Sequence, residues 1–357
     1  MNMINMFLKY FFFIPKFFPY FRYENQLRPY FGIPKRNYGG PSLRTIQMIK
    51  FFGNFYFSPN IIYAQSWWTD KELLDCIEYS KKHLIPIVFN QNGWFYPGWY
   101  TGDWKKRNKI IVKVQKISKK VIYQSNFCIK ESVYLNKYKK KNYKILYNPP
   151  LIKKLKKNKN YNKNFNILLT GVFGKESKHI LLPALKAINY IHDKKISSNL
   201  KLNICGVFKK DVKNSNWYIQ FKKISEKLKS KNLLSISGKY KHEELNKLLE
   251  ITNLALHLKY KDPCPNAVIE KLIYGIPHVY SNSGGTGELI GNAGIGIKVK
   301  NSWNKMEETN YKILARKIIY LQVNESKFKR KAFKQSKKFN EKKYMQFHKK
   351  LFKKLIG

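Results

Sequence analysis

Short apolar runs alternate with amphipathic stretches twice over in this chain, and that doubling restricts the fold more than any other feature of the sequence. In the first half, residues 60–64 (Asn-Ile-Ile-Tyr-Ala) and 85–90 (Ile-Pro-Ile-Val-Phe-Asn) read as buried strands, as do 121–124 and 144–147. Each is too short for a buried helix and apolar on both faces, as strands of a covered parallel sheet are. Helical stretches at 71–82 and 108–119 separate them. Pro149-Pro150 and the polar run 153–164 then break the rhythm, as a linker does. A second series follows, with strands expected at 166–169, 201–205, 233–237, 254–258 and 277–280. Two such series predict an α/β chain of two Rossmann-like, doubly wound sheets facing each other across a cleft. A chain of 357 residues is long for one core and comfortable for two. The expected division is an N-terminal acceptor-side domain (1–150), a linker (151–164) and a C-terminal domain (165–330). A basic C-terminal helix (331–357) is expected to pack back toward the N-terminal domain.

Composition narrows the partners less than its size suggests. A formal net charge of +49 ordinarily points to nucleic acid, anionic lipid or polyphosphate. The surplus is mostly lysine and travels with Asn, Ile, Phe and Tyr, whose codons are rich in adenine and thymine. A biased genome is therefore an equally good source of it. Cys76, Cys128, Cys205 and Cys264 are scattered, with no close pair for a zinc knuckle or redox motif, which favours a reducing cytoplasm. The segment 6–20 is strongly aromatic, but Lys9, Pro15, Lys16 and Pro19 interrupt it, so no run approaches the roughly 20 apolar residues of a spanning helix. No small-residue cleavage site follows. Phe11, Phe12, Phe13, Phe17, Phe18 and Tyr20 interleaved with Lys9, Lys16 and Arg22 suit an anionic membrane surface, with a buried strand as the alternative.

The densest chemistry lies between Leu258 and Val299. Its core reads Lys261-Asp-Pro-Cys-Pro-Asn-Ala-Val-Ile-Glu270, then Gly275-Ile-Pro277, a short strand, and Ser283-Gly284-Gly285-Thr286-Gly-Glu288. A strand ends near Leu258, a proline-containing turn carries Asp262, and a helix opens near Asn266 with Glu270 one turn inside. Both carboxylates then stand at the C-terminal edge of the sheet, where open α/β folds bind ligands. Carboxylates there accept sugar and ribose hydroxyls, and the amides at the helix start suit a phosphate. Glu270 is expected to be partly exposed and to contribute little to the core. Gly284 and Gly285 let the backbone approach closely, so that they and Thr286 form a nest for a diphosphate.

This stretch resembles the donor-site signature of retaining GT-B glycosyltransferases of the "glycosyl transferases group 1" type, similar to glycosyltransferase family 4. That signature is two acidic residues separated by seven, then Gly-x-Pro, a strand and a Gly-Gly-x-x-Glu loop. Here the pair is Asp262 and Glu270, followed by Gly275, Pro277, Gly284, Gly285 and Glu288. The Asp-Pro-Cys-Pro-Asn variant is similar to a subset associated with surface polysaccharide assembly. The segment Leu169-Thr-Gly171-Val-Phe-Gly-Lys-Glu-Ser-Lys178 occupies the place of the family's Gly-Arg…Lys loop. Val172 stands where arginine is usual, which leaves Lys178, with Lys175 as runner-up, for the diphosphate. Gly238 lies in the family's glycine loop near the base; a plain tight turn explains it equally well. In the first half, Asn37-Tyr-Gly39-Gly40-Pro-Ser-Leu resembles the glycine loop opening the first helix, beside donor phosphate and acceptor. Asn92 falls where many relatives carry a histidine. Trp94, Trp99, Trp67 and Trp68 suit stacking on sugar rings or facing lipid, with buried packing the commoner fate of such residues. No histidine has metal-ligand spacing, and His179 is expected at an exposed helix start.

The resemblance implies a cytoplasmic transferase, with peripheral attachment to the inner membrane face as an option, that moves a sugar from a nucleoside diphosphate sugar to a glycan or lipid-linked acceptor. Asp262, Glu270 and Asn92 would form the reacting site. Gly171, Lys178, Gly238, Asn266, Gly284, Gly285, Thr286 and Glu270 would bind the donor, with Gly39, Gly40 and Trp94 on the acceptor side. Neither a metal nor a resident cofactor is expected; the nucleotide sugar is a co-substrate. Three rivals stand beside this reading. An inactive scaffold of the same fold accommodates the departures at Val172, Asn92 and Asp262. A nucleic-acid-binding protein accounts for the charge but leaves the acidic pair and glycine loops without a purpose, so no nucleic-acid partner is expected. A phosphorylase or epimerase shares the fold.

Overall fold

The structure, a computed structural model, describes residues 26–34, 39–152, 164–240 and 242–357. The aromatic-basic segment 6–22 and linker residues 153–163 lie outside the described residues. The chain divides into two compact units. The first comprises residues 1–95, 102–146 and 341–357; the second comprises 96–101 and 147–340.

The first unit holds a parallel sheet in the order β1 (Pro29–Tyr30), β2 (Ile61–Gln65), β3 (Ile87–Gln91), β4 (Lys120–Tyr123), β5 (Tyr143–Ile145). Its central strands β2 and β3 are buried throughout because both faces are covered, and their polar residues Gln65, Asn90 and Gln91 fall at the C-terminal ends. Ile62, Ala64, Ile87, Phe89, Val121 and Tyr123 face α2 (Asp70–His83), α3 (Trp104–Ile117) and α4 (Asn126–Asn136). The alternate residues Ile61, Tyr63, Val88 and Ile122 pack with α1 (Gly40–Phe52) and the late helix α12 (Glu341–Ile356). Burial of Tyr344, Met345 and Phe352 holds that lysine-rich helix to the sheet, at about 1.5–3 kcal/mol per fully buried side chain. Its lysines 342, 343, 349, 350, 353 and 354 remain exposed. Local signals fix the boundaries: Thr69 and Glu72 form a capping box on α2, and Asp103 caps α3 through the Lys106 amide.

The second unit is a six-stranded parallel sheet. Its order is β11 (Gly294–Ile297), β10 (His278–Ser281), β9 (Leu254–His257), β6 (Phe165–Phe173), β7 (Leu200–Phe208), β8 (Leu234–Ser237). From β6 the chain winds outward to β8, then returns to β9 on the other side and winds outward to β11. The direction reverses between β6 and β9, and in open α/β sheets ligands bind outside the strand ends at such a point. One face packs on α5 (Lys178–Asp193), α6 (Tyr218–Ser230) and α10 (Tyr311–Val323). The other face carries α7 (His242–Glu250) and α8 (Asn266–Ile273), with α9 (Thr286–Ile290) and α11 (Glu325–Ser336) adjoining α8. Gly275 adopts φ 74° and the ring of Phe333 lies 2.4 Å from where its Cβ would be, so any side chain there would displace α11.

Candidate active site

Two loops meet at the switch point of the second unit. The first leaves β9 and carries Lys259, Tyr260, Lys261 and Asp262 into α8; the second leaves β10 and carries Ser283, Gly284 and Gly285 into α9. The Gly285 amide donates to the Asp262 carbonyl at 2.9 Å, and the Lys261 amide donates to Ser283 Oγ at 2.9 Å. A Cβ at position 284 would stand 2.6 Å from the Asp262 carbonyl oxygen, so only glycine allows the loops to touch. The Gly285 amide is thereby committed inside the protein and cannot point at a diphosphate as expected, leaving Gly284 and Thr286 of the expected three. Thr286 is buried, and its Oγ1 has no hydrogen-bond partner among the described residues.

Asp262 is 9% exposed and has two basic neighbours on Oδ2, Lys259 Nζ at 3.2 Å and His257 Nε2 at 3.3 Å. Burial pushes its carboxyl up, but Lys259 and the His257 contact outweigh it and hold the group well below the usual carboxylate range. Burial in turn keeps His257 neutral by lowering its pKa against the pull of Asp262. The imidazole therefore meets the carboxylate as a dipole, off the line of a hydrogen bond, and Lys259 supplies the full charge. Asp262 is ionised across the neutral range and acts as an acceptor.

Glu270 is also 9% exposed, on α8, so it is a buried carboxylate rather than the partly exposed one expected from sequence. Its neighbour Lys271 is 3% exposed and donates to Thr170 Oγ1 at 2.6 Å and to the Ala267 carbonyl at 3.2 Å. Burial lowers the Lys271 pKa, and Glu270 counters that by attraction. Thr170 lies within β6, and Cys205, within β7, accepts from Ser237 at the end of β8 at 2.9 Å. Side chains of β6, β7 and β8 thus stand in one polar cluster near Lys271 and Glu270.

The remaining expected residues divide. Asn266 opens α8 behind Pro265, and Gly171 lies in β6, two residues before its end, beside the exposed Val172. Lys178 opens α5, with its ammonium 3.2 Å from Glu308 Oε1. Gly238 is exposed with open space around it, so nothing in the structure demands glycine there. In the first unit Gly39, at φ 85°, precedes α1, which begins at Gly40, so a glycine loop does open the first helix. The Asn92 amide donates to Ser66 Oγ at 3.0 Å, past the end of β3. Trp94 is a correction: it is 2% exposed, and its Nε1 donates to the Cys128 carbonyl at 3.2 Å, so its ring belongs to the core and offers no face to a sugar. His179 is another: it is 4% exposed, bonded through Nδ1 to the Glu176 carbonyl at 2.8 Å and through Nε2 to the Tyr260 amide at 3.3 Å. It ties α5 to the loop that carries Asp262. His257, Lys259, Lys271 and Thr170 were not anticipated. Lys271 had a usable signal, because α8 (Asn-Ala-Val-Ile-Glu-Lys-Leu-Ile) has no lysine-tolerant polar face.

Among the described residues, no group of three or more His, Cys, Asp or Glu side chains is placed to hold a metal ion. No described helix is long and apolar enough to cross a membrane.

Residues 152–350 match the family model "Glycosyl transferases group 1". No curated protein sequence matches the chain. Among solved structures, HepE from Anabaena in complex with UDP superposes with TM-score 0.63 at 13% identity, over 87% of this chain and 82% of that one. A sucrose-phosphate synthase from Thermosynechococcus elongatus gives TM-score 0.61 at 11% identity, over 88% and 78%. A glycosyltransferase from Rickettsia africae gives 0.59 at 16% identity, over 93% and 99%. At these identities the likeness is one of fold.

Proposed function

The chain belongs to the glycosyl transferases group 1 and has the GT-B fold, and on that premise we propose that it is a retaining hexosyltransferase using a UDP-sugar. The observation that carries this reading is the placement of two buried carboxylates after β9, beside the switch point of the second sheet: Asp262 on a loop locked to the Gly284-Gly285 loop, and Glu270 on the helix that follows. Glu270 accepts the ribose hydroxyls and Asp262 accepts hydroxyls of the transferred sugar. Amides of Gly284 and Thr286 meet the diphosphate, joined by Lys178 once it leaves Glu308. Charge grows on that diphosphate as the glycosidic bond breaks, so contacts there strengthen in the transition state and accelerate the step. Protein donors suffice for this charge, and no metal is invoked. The acceptor side falls to Gly39, Gly40 and Asn92, which would hold hydroxyls rather than move protons. UDP bound to HepE supports the choice of base.

Asp262→Asn tests the site. Its expected result is a UDP affinity within about threefold of wild type and a loss of donor turnover of roughly tenfold or more, the scale of one charge-assisted hydrogen bond. UDP calorimetry and hydrolysis of UDP-glucose, UDP-galactose and UDP-N-acetylglucosamine check it. Collapsed UDP affinity with unchanged turnover would reassign Asp262 to the nucleotide.

We further propose a glycan or lipid-linked acceptor in surface polysaccharide assembly, with attachment to anionic membrane through the segment 1–22. Each basic residue near such a surface contributes on the order of 1 kcal/mol, so a few give reversible, salt-sensitive binding. Flotation with phosphatidylserine-containing vesicles should recover the full chain and lose a chain lacking residues 1–22. Equal recovery of both would remove this segment as the anchor.

A further inference from the structure

Lys261 immediately precedes Asp262, and its backbone is left-handed at φ 48°. That conformation is unfavourable for any residue with a Cβ and persists only where neighbours hold it. In a chain whose lysines are mostly solvated, this one is 4% exposed. Its ammonium lies 3.6 Å from the centroid of the Trp303 ring and donates to Asn301 Oδ1 at 2.5 Å. Tyr260, one residue earlier, accepts the Ser302 amide at 2.7 Å and donates to the Lys300 carbonyl at 2.9 Å. The segment 300–303 therefore grips both residues before Asp262. Trp303 is braced in turn within the same unit. The Tyr96 ring meets it edge-on with centroids 5.1 Å apart, and its carbonyl accepts the Gly98 amide at 2.8 Å. A Cβ on Gly98 would lie 3.0 Å from that carbonyl, close enough that the facing backbone would have to give way by a few tenths of an ångström.

We infer that Lys261 and Trp303 form a cation–π latch that sets the position of the Asp262 carboxylate, making both positioning residues for sugar transfer. The inference rests on the reading of Asp262 as the acceptor of sugar hydroxyls. A cation over an indole face is among the stronger such contacts when desolvated. Here its release frees the turn on one side of Asp262. On the other side the Gly284 backbone still abuts the same peptide, so the shift is confined to the turn before Asp262.

Lys261→Met keeps the length and apolar stem of the side chain but removes its charge, and Lys261→Arg restores a cation able to stack. Trp303→Leu removes the ring. Lys261→Met and Trp303→Leu are expected to lose roughly tenfold or more in hydrolysis of the UDP-sugar panel, the scale of a small misplacement of a reacting group. UDP affinity should stay within about threefold, because Glu270 is untouched, and Lys261→Arg should recover most of the turnover. A purely structural role would instead lower the melting temperature and weaken UDP binding and turnover together; that result overturns the latch. Asp262→Asn measured alongside separates the two ideas. Loss in Asp262→Asn with wild-type turnover in a folded Lys261→Met overturns the latch alone, and wild-type turnover in both overturns the site reading as well.

Discussion

Glu270→Gln is expected to reduce UDP affinity and donor turnover together, by about 100-fold, while the chain stays folded. Two ribose hydroxyls donating to one carboxylate give charge-assisted bonds of about 1.5–3 kcal/mol each, which together reach that factor. The amide keeps the shape of a side chain that is 9% exposed, whereas Glu270→Ala would also open a hole in α8. Either change leaves Lys271 buried without the neighbouring carboxylate that favours its protonation. Lys271 then releases its proton more readily, which spares the fold an uncompensated charge. Calorimetry with UDP, with melting curves as a control on folding, checks this. Wild-type turnover in a folded Glu270→Gln protein would sink the assignment.

Both units should weaken sharply between pH 7 and pH 5. His179 in the second unit and His348 in the first are buried, and burial lowers each pKa to about 4. The unfolded chain takes up these protons near pH 6.5. The stability they contribute is therefore complete above that pH and is lost as the pH falls from about 6.5 toward 4. At pH 5 the loss is about 2 kcal/mol for each histidine. The structural reason is plain at His179, whose Nε2 accepts the Tyr260 amide and must carry no proton to do so. His348, on the buried side of α12, sits among the rings of Tyr344 and Phe352 of the same helix and Tyr63 of the sheet. His257 and His278 are shifted downward by burial as well and add to the loss in the second unit. The depressed Asp262 adds nothing in this window, since it is lost only at much lower pH. Melting points at the two pH values should differ by roughly 4–8 °C, and His348→Leu should flatten the response of the first unit. Equal melting at pH 7 and pH 5 would contradict the neutral, buried state of these rings.

What could be read from the sequence follows from how local each signal is. The buried central strands declare themselves, because a strand covered on both faces has no polar alternation to hide in: Ile61, Ile62 and Tyr63 feed two opposite cores. By contrast, β1 is only Pro29–Tyr30 and exists through its register with Ile61 and Ile62, a pairing that no local pattern encodes. In the site, the acidic pair and the glycine loop were legible because each lies within its own strand–turn–helix unit. The loop-to-loop hydrogen bond that spends the Gly285 amide was not, since it joins segments from two different strands. His179 and Trp94 were misplaced for the same reason. Each is amphipathic in type, and its fate depends on distant backbone, the Tyr260 amide for one and the Cys128 carbonyl for the other.

The late helix α12 has a consequence for the order in which the protein can be made. It follows the whole of the second unit in the chain, yet its Phe352 packs against Phe31, Phe52 and Tyr63 of the first. No nascent chain that stops before this helix can cover that face of the first sheet. The second unit is nearly contiguous, from Tyr147 to Asn340, with only Tyr96–Thr101 added from earlier in the chain. Domains usually mature in the order in which they leave the ribosome. Here the first unit to emerge is the last to be completed, and its aromatic face stays uncapped throughout synthesis of the other.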